Sequence, residues 1–326
     1  MMKPIIKWLG GKTQLLDKIK EKMPESFSTY YEPFLGGGAV LLDLNPTNAI
    51  VNDINPELIN MYLQVRDRVE EVIEHLTIYD NQHEIWSDPK DYYYKVREYF
   101  NAELGTNTAQ QAARFIYLNK HCFNGLYRVN KKGEFNVPFN GKLSGWSADP
   151  DHLREASTKL QSIEFRLGDF TTAVSDAGPD DLVFFDSPYA PLNPTSFTDY
   201  TKEGFSFDDH VRLSHLFRVL TERGCKCILT NHDTPLIREL YKDYKIEVVD
   251  VRRSINRNGS DRTGTEVIIT NYNPTGETFE PVVIEPHDET ILDDLRQKMF
   301  NGVGIPVEFL TKGDAHDEGS TDKRLD

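Results

Sequence analysis

The chain has 326 residues, 38% of them hydrophobic, and a formal charge of −15; with a mean hydropathy of −0.53 it has material for about two soluble globular domains. No stretch approaches the ~18 apolar residues of a membrane span, and the amino-terminal MMKPIIKWLGGK lacks the long apolar segment of a secretion signal, so a cytoplasmic protein is expected. Cys122, Cys225 and Cys227 form no CxxC pair; neither a zinc site nor a disulfide framework is indicated, and no metal is expected.

The acidic balance argues against a polyanionic partner until its distribution is counted. Residues 273–326 hold 13 acids against 5 Lys and Arg, a net of −8, which leaves −7 for the preceding 272 residues. Three basic islands stand out in that body: Lys3, Lys7 and Lys12; Arg114, Lys120, Arg128, Lys131, Lys132 and Lys142; and the four arginines of residues 252–262. They make a phosphate-contacting footprint, although solvated basic patches are also common.

In chain order, Gly10 and Gly11 precede a helical pattern of Leu15, Leu16 and Ile19. This is not a GxxxxGK[ST] phosphate loop, because Ile6 stands where the first glycine would fall. A glycine turn opening a helix is expected instead. YYEPFLGGGAVLL, residues 30–42, reads as a short strand, a glycine turn and a helix start, with Leu41 where a GxGxxG motif needs glycine. AIVND then gives a second strand ending in Asp53, a carboxylate placed to accept from ribose hydroxyls. Together they favour a nucleoside-bearing cofactor without the pyrophosphate fingerprint.

Residues 56–164 break the α/β rhythm. Helices are expected over 57–78, 89–100 and 110–119, with Tyr92, Tyr93, Tyr94, Tyr99 and Phe100 mostly as core aromatics. HCFNGLYRVNKKGEFNVPFNGK follows as short aromatic strands, with turns at Asn124-Gly125 and Lys132-Gly133. Its interleaved basic and aromatic residues suit a β-ribbon entering a DNA groove, or equally an ordinary surface hairpin.

The α/β pattern resumes with a strand at 163–170 that ends in Asp169 and Phe170. LVFFDSPY, residues 182–189, reads as a buried strand ended by Pro188. Sites in open α/β sheets lie past the carboxyl ends of the strands, so Asp186 and Tyr189 would present an acceptor and a flat ring at a crevice. A Pro- and Thr-rich loop, a helix over 208–223 and strands at CKCILTN, 245–251 and TEVIITNY complete the pattern. The last two strands are expected to pair through the Arg-rich loop. Within the tail a short helix is expected at ETILDDLRQKMF and disorder over the last 16 or so residues.

KWLGGK (7–12), EPFLGGGAV (32–40), DIN (53–55), GDF (168–170) and DSPY (186–189), in that order, resemble the Dam family of DNA adenine N6-methyltransferases, and the likeness runs from Ile5 to about Tyr272. The resemblance implies a Rossmann-like α/β methyltransferase sheet (1–55 and 165–272), an inserted, mostly helical target-recognition domain bearing a β-hairpin (56–164), and an acidic, partly disordered tail (273–326). It implies S-adenosylmethionine as cofactor, held by Trp8, Gly10, Lys12, Glu32, Phe34, Gly36, Gly38, Asp53, Asp169 and Phe170. Asp186, Ser187, Pro188 and Tyr189 would form the catalytic motif. FNGLYRVNKKGEFNVPF resembles the hairpin by which family members read GATC in double-stranded DNA. Arg128 would contact guanine, Leu126 and Pro138 would pack on thymine, and Phe123 and Asn124 would fill the gap left by a flipped base. Lys7, Lys120, Asn130 and Asn136 would position the duplex. A monomer in a bacterial or phage-infected cell is implied; restriction-modification, phage protection and chromosome maintenance stay open as roles.

The chemistry of the residues agrees with that resemblance. The adenine amino nitrogen is a poor nucleophile, and two acceptors, Asp186 and the carbonyl of residue 187, would favour its attack. The sulfonium donor needs no covalent enzyme intermediate. One departure is Ser187, where the family motif DPPY has proline: rigidity is lost, and an added hydroxyl is expected to compete for Asp186. Three rival classes are a non-catalytic GATC-binding protein, a methyltransferase of RNA or protein amides, and a nicotinamide oxidoreductase. Ser187 supports the first; the acid at 186 and the failed GxGxxG oppose the others.

Overall fold

A computed structural model of the protein describes residues 2–192, 204–252 and 263–273, with the isolated positions 290 and 293. The Arg-rich loop, most of the Pro- and Thr-rich loop, and the tail with its expected helix and disorder lie outside the described residues.

Short β-branched and aromatic runs flanked by helices build a seven-stranded sheet. Its strands are β1 (Tyr30–Glu32), β2 (Ala49–Asp53), β3 (Ile163–Leu167), β4 (Leu182–Phe185), β5 (Lys226–His232), β6 (Lys245–Arg252) and β7 (Thr263–Thr270). The order is β3-β2-β1-β4-β5-β7-β6. The first five strands are parallel, and β7 runs antiparallel to both β5 and β6. This is the expected α/β, Rossmann-like sheet. The chain winds outward from β1 through β2 to β3, then returns to pair β4 on the other side of β1. The switch point therefore falls between β1 and β4, and in open α/β sheets sites lie beyond the carboxyl ends of the strands at such a point.

The helices are α1 (Leu16–Lys20), α2 (Ala39–Leu44), α3 (Pro56–Asp67), α4 (Val69–Ile85), α5 (Pro89–Ala102), α6 (Ala109–His121), α7 (Pro150–Leu160), α8 (Phe170–Ala173), α9 (Phe207–Glu222) and α10 (Pro235–Leu240). One face of the sheet, with Tyr30, Val51, Phe184, Ile228 and Ile268, shares a continuous apolar core with α3, α4, α5 and α6. The opposite face, with Val183, Phe185, Cys227, Leu229 and Ile269, packs on α9 and α10. Alternation along each strand sends neighbouring residues to the two cores. Cys225 and Cys227 are buried.

Three local expectations are corrected. The helix read over 57–78 is two helices, broken at Arg68, whose φ of −141° leaves the helical region. The carbonyl of Arg66, which a continuous helix would use internally, accepts instead from Ser157 Oγ and Gln161 Nε2 of the α7 region. The strand read over 163–170 ends at Leu167: Gly168 takes φ 145°, and Asp169 caps α8 by accepting from the Thr171 N–H at 2.9 Å. Third, the aromatic strands of 121–142 reduce to two isolated antiparallel bridges, Cys122 with Phe139 and Val129 with Phe135. Of the α5 aromatics, Tyr92, Tyr93 and Phe100 are buried, while Tyr99 is exposed.

Candidate active site

The loop after β1 forms one wall of the crevice. Gly36 and Gly38 take φ of 49° and 63°, left-handed conformations that favour glycine. The space a Cβ would fill is already occupied, by Trp8 Cδ1 at 2.7 Å from Gly36 and by the Tyr62 hydroxyl at 2.7 Å from Gly38. These glycines thus let Trp8 and Tyr62 pack against the loop. Tyr62 also donates to the Gly36 carbonyl at 3.1 Å.

Asp53 sits at the end of β2 and organises the same loop. Its Oδ2 accepts from the Gly36 N–H and its Oδ1 from the Asn55 N–H, both at 2.9 Å. Asn55 in turn caps α3 through the N–H groups of Glu57 and Leu58. DIN is therefore a hinge in which the acid holds the glycine turn and the amide starts a helix. Burial pushes the Asp53 carboxyl above its ordinary range, against the pull of those backbone donors.

An aromatic wall stands beside it. Phe34 stacks on Phe170 with centroids 5.2 Å apart, and Phe205 meets Phe34 edge-on at 5.7 Å. Arg212 of α9 lies 4.9 Å over the Phe170 ring and holds both oxygens of Asp169 at 3.0 Å. Glu32 closes β1. It is 2% exposed and accepts from the Tyr30 hydroxyl at 2.9 Å; burial raises its carboxyl to about 8.

The turn after β4 supplies the reactive acceptor. Asp186 Oδ1 lies 2.5 Å from Lys12 Nζ and accepts from Thr230 Oγ1 at 3.0 Å. Lys12 also donates to the Gly10 carbonyl and sits 4.5 Å from the centroid of the Tyr189 ring. Burial pushes the Asp186 carboxyl up, opposed by Lys12 and Thr230. Tyr189 donates to Glu266 Oε2 at 2.9 Å and meets His232 edge-on at 4.8 Å. The next residue, Ala190, is pinned by Asn231: its N–H reaches Asn231 Oδ1 at 2.8 Å. The expected competition of Ser187 for Asp186 is not found. The buried hydroxyl of Ser187 lies 3.4 Å from Asn231 Nδ2. Pro188 is exposed.

The hairpin joins this crevice through Asn119 at the end of α6. Its Oδ1 accepts from the Lys7 N–H, and its Nδ2 donates to the carbonyls of Lys7 and Gly125. Trp8 stacks on Tyr127 with centroids 5.6 Å apart, tying the KWLGGK segment to the hairpin a second time. Asn124 and Gly125 take φ of 57° and 66°, giving the expected tight turn. Phe123 is 52% exposed, and Lys7, Lys120, Asn124, Arg128 and Pro138 are exposed as well. Leu126 and Asn136 are half-buried. Asn130 is spent on the turn: its Oδ1 accepts from the N–H groups of Lys132 and Glu134, and its Nδ2 donates to Glu134. Arg114 leaves the basic footprint, being buried and paired with Glu103.

The crevice thus gathers Trp8, Lys12, Phe34, Asp53, Asp169, Phe170, Asp186 and Tyr189 around the switch point. Sequence reasoning missed Tyr62, Arg212, Thr230, Asn231, His232 and Glu266. A usable signal existed for Thr230 and Asn231, polar residues closing an apolar strand. For Glu266 it did not, because its place depends on the antiparallel pairing of β7 with β5, which sets it opposite His232.

Comparisons with known proteins speak directly to this arrangement. The family model for D12 class N6 adenine-specific DNA methyltransferases matches residues 8–255. The chain is 41% identical to the type II methyltransferase M1.LlaDCHI of Lactococcus lactis subsp. cremoris, covering 83% of this chain and 96% of that one. It is 39% identical to the type II methyltransferase M.MjaIII of Methanocaldococcus jannaschii, covering 83% and 99%. With the DNA adenine methylase of Escherichia coli (strain K12) the identity is 34%, over 82% and 95%. The chain belongs to the D12 class N6 adenine-specific DNA methyltransferases, enzymes that add a methyl group to the amino nitrogen of adenine in DNA.

Proposed function

We propose that the enzyme methylates adenine in GATC within double-stranded DNA, with S-adenosylmethionine as donor and the target base turned out of the duplex. The observation that carries this reading is the placement of Asp186 and Tyr189 after β4, the neighbour of the strand that leads into the glycine loop, with Lys12 tying Asp186 to the KWLGGK segment and with Phe123 and Arg128 of the hairpin exposed. In this reading 1–55 and 165–272 carry catalysis, and 56–164 carry recognition.

The residues suit the donor. The stacked pair Phe34 and Phe170 offers an apolar wall to an adenine ring, and the half-exposed Asp169 beside it accepts from an amino group. Asp53 and Trp8 shape the loop that faces the remainder. When bound, S-adenosylmethionine supplies an activated methyl group on a sulfonium.

Asp186 and the carbonyl of Ser187 accept from the adenine amino group, drawing its lone pair out of conjugation and stabilising the positive charge that grows on nitrogen. Lys12 favours the ionised form of Asp186 against the effect of burial, and its ammonium occupies an acceptor that the incoming amino group must share or take over. Tyr189, fixed by Glu266 and His232, stacks on the extruded base. Extrusion costs a few kcal/mol; Phe123 and Asn124 offset part of it by filling the gap. Arg128 reads guanine, Leu126 and Pro138 pack on thymine, and Lys7, Lys120 and Asn136 set the duplex.

Asp186→Asn keeps the shape of the acceptor but removes its charge. We expect kcat to fall by about 10²- to 10³-fold, with affinity for the methyl donor within about twofold. Parent-like turnover would overturn the assigned role.

A further inference from the structure

Little backbone pairing holds the hairpin in shape. Its two isolated bridges rest on four cross-limb hydrogen bonds: the Phe123 N–H on the Pro138 carbonyl at 2.8 Å, the Asn140 N–H on the His121 carbonyl at 2.9 Å, the Asn130 N–H on the Glu134 carbonyl at 2.8 Å and the Asn136 N–H on the Arg128 carbonyl at 3.0 Å. An isolated two-stranded hairpin is marginal in water. Between those bridges the second limb is held from its other side, by α5.

Asn101 pairs both backbone groups of Phe135. Its Nδ2 donates to the Phe135 carbonyl at 3.0 Å, and its Oδ1 accepts from the Phe135 N–H at 2.8 Å. The side-chain amide thereby reproduces the two-bond exchange of a neighbouring strand. The contact is specific in direction, because a flipped amide would set donor against donor. Two residues on, the Val137 carbonyl accepts from the Tyr93 hydroxyl at 2.8 Å and from Arg97 at 3.2 Å, so the same helix grips the limb twice.

The residue after Phe135 carries this register onward. Asn136 Oδ1 accepts from Arg128 Nε at 2.8 Å, and the Asn136 carbonyl accepts from Nη2 of the same exposed guanidinium at 3.5 Å. A continuous path runs from α5 through the Phe135 backbone and Asn136 to Arg128. A slip of one residue along it would turn Asn136 away, since side chains alternate along an extended limb.

We propose that Asn101 is a positioning residue for sequence recognition, fixing the register of the hairpin and, through Asn136, the aim of Arg128 at its base. It acts without touching DNA. The inference rests on the reading of Arg128 as the guanine contact.

The test compares kcat/KM of the full-length enzyme on duplexes containing GATC and AATC, for the parent, Asn101→Ala, Asn101→Asp, Arg128→Ala and the Asn101→Ala/Arg128→Ala double variant. Asn101→Asp is nearly isosteric and sets oxygen against the Phe135 carbonyl. Both Asn101 variants are expected to lower the GATC/AATC ratio about tenfold, within the range of a lost guanine contact, with affinity for the methyl donor unchanged. Adding Asn101→Ala to Arg128→Ala should lower the ratio no further. If Arg128→Ala lowers the ratio but both Asn101 variants keep it, turnover falling equally on the two duplexes, the inference fails and the guanine contact stands. If Arg128→Ala itself leaves the ratio intact, the reading of Arg128 fails first and takes the inference with it.

Discussion

Asp186 lies under opposing influences. Burial raises its carboxyl, while the Lys12 ammonium and the Thr230 hydroxyl lower it. Catalysis as proposed needs the carboxylate, so the acid limb of the rate profile follows this group. Removing the cation removes the largest downward pull, so Lys12→Ala should move that limb to higher pH; an unmoved limb would separate Lys12 from the titration. The pairing of the two could not be read from sequence, because they stand 174 positions apart and meet only through the sheet. The identity of Asp186 was legible, since an acid closing a short apolar run at a strand end has few other settings. The inward turn of Ser187 to Asn231 was not, since it depends on the pairing of β4 with β5.

At the scale of elements, the glycine turn after β1 shows how a local signal was right for a partly different reason. YYEPFLGGGAVLL was legible as strand, turn and helix from its periodicity and its glycines. What those glycines accommodate is Trp8 on one side and Tyr62 on the other. A methyl group at Gly38 would lie 2.7 Å from the Tyr62 hydroxyl on a backbone with φ 63°. Gly38→Ala is therefore expected to weaken methyl-donor affinity by about tenfold or more, from the ~1–3 kcal/mol of such strain, with a smaller effect on affinity for DNA. Calorimetric titration checks this, and parent-like donor affinity would contradict it. The break between α3 and α4 escaped sequence reading because no glycine or proline marks it. Hydrogen bonds from Ser157 and Gln161, some ninety residues later, draw the Arg66 carbonyl out of the helix. The hairpin was legible by its turns, yet its support by α5 was not, for the same reason of distance.

Across the whole molecule, the switch point gathers the proposed catalytic residues and lies beside the proposed recognition hairpin. The loops after β1, β2, β3 and β4 converge on one crevice, and the helices α3 to α6 share their core with the same face of the sheet. The proposed recognition and catalytic parts thus share one packed frame, and Asn119 and Trp8 link the hairpin to the loop carrying Lys12. The charge is distributed to match: the net of −15 leaves exposed cations at Lys7, Lys120 and Arg128 on that side. Electrostatic attraction to phosphate can be local in this way even on an acidic body. The most direct test is transfer of a labelled methyl group from S-adenosylmethionine to two duplexes that differ only in GATC versus GTTC. Label in the GATC duplex alone is the expected result; equal label in both, or label in neither while GATC DNA still binds, would contradict the proposed function.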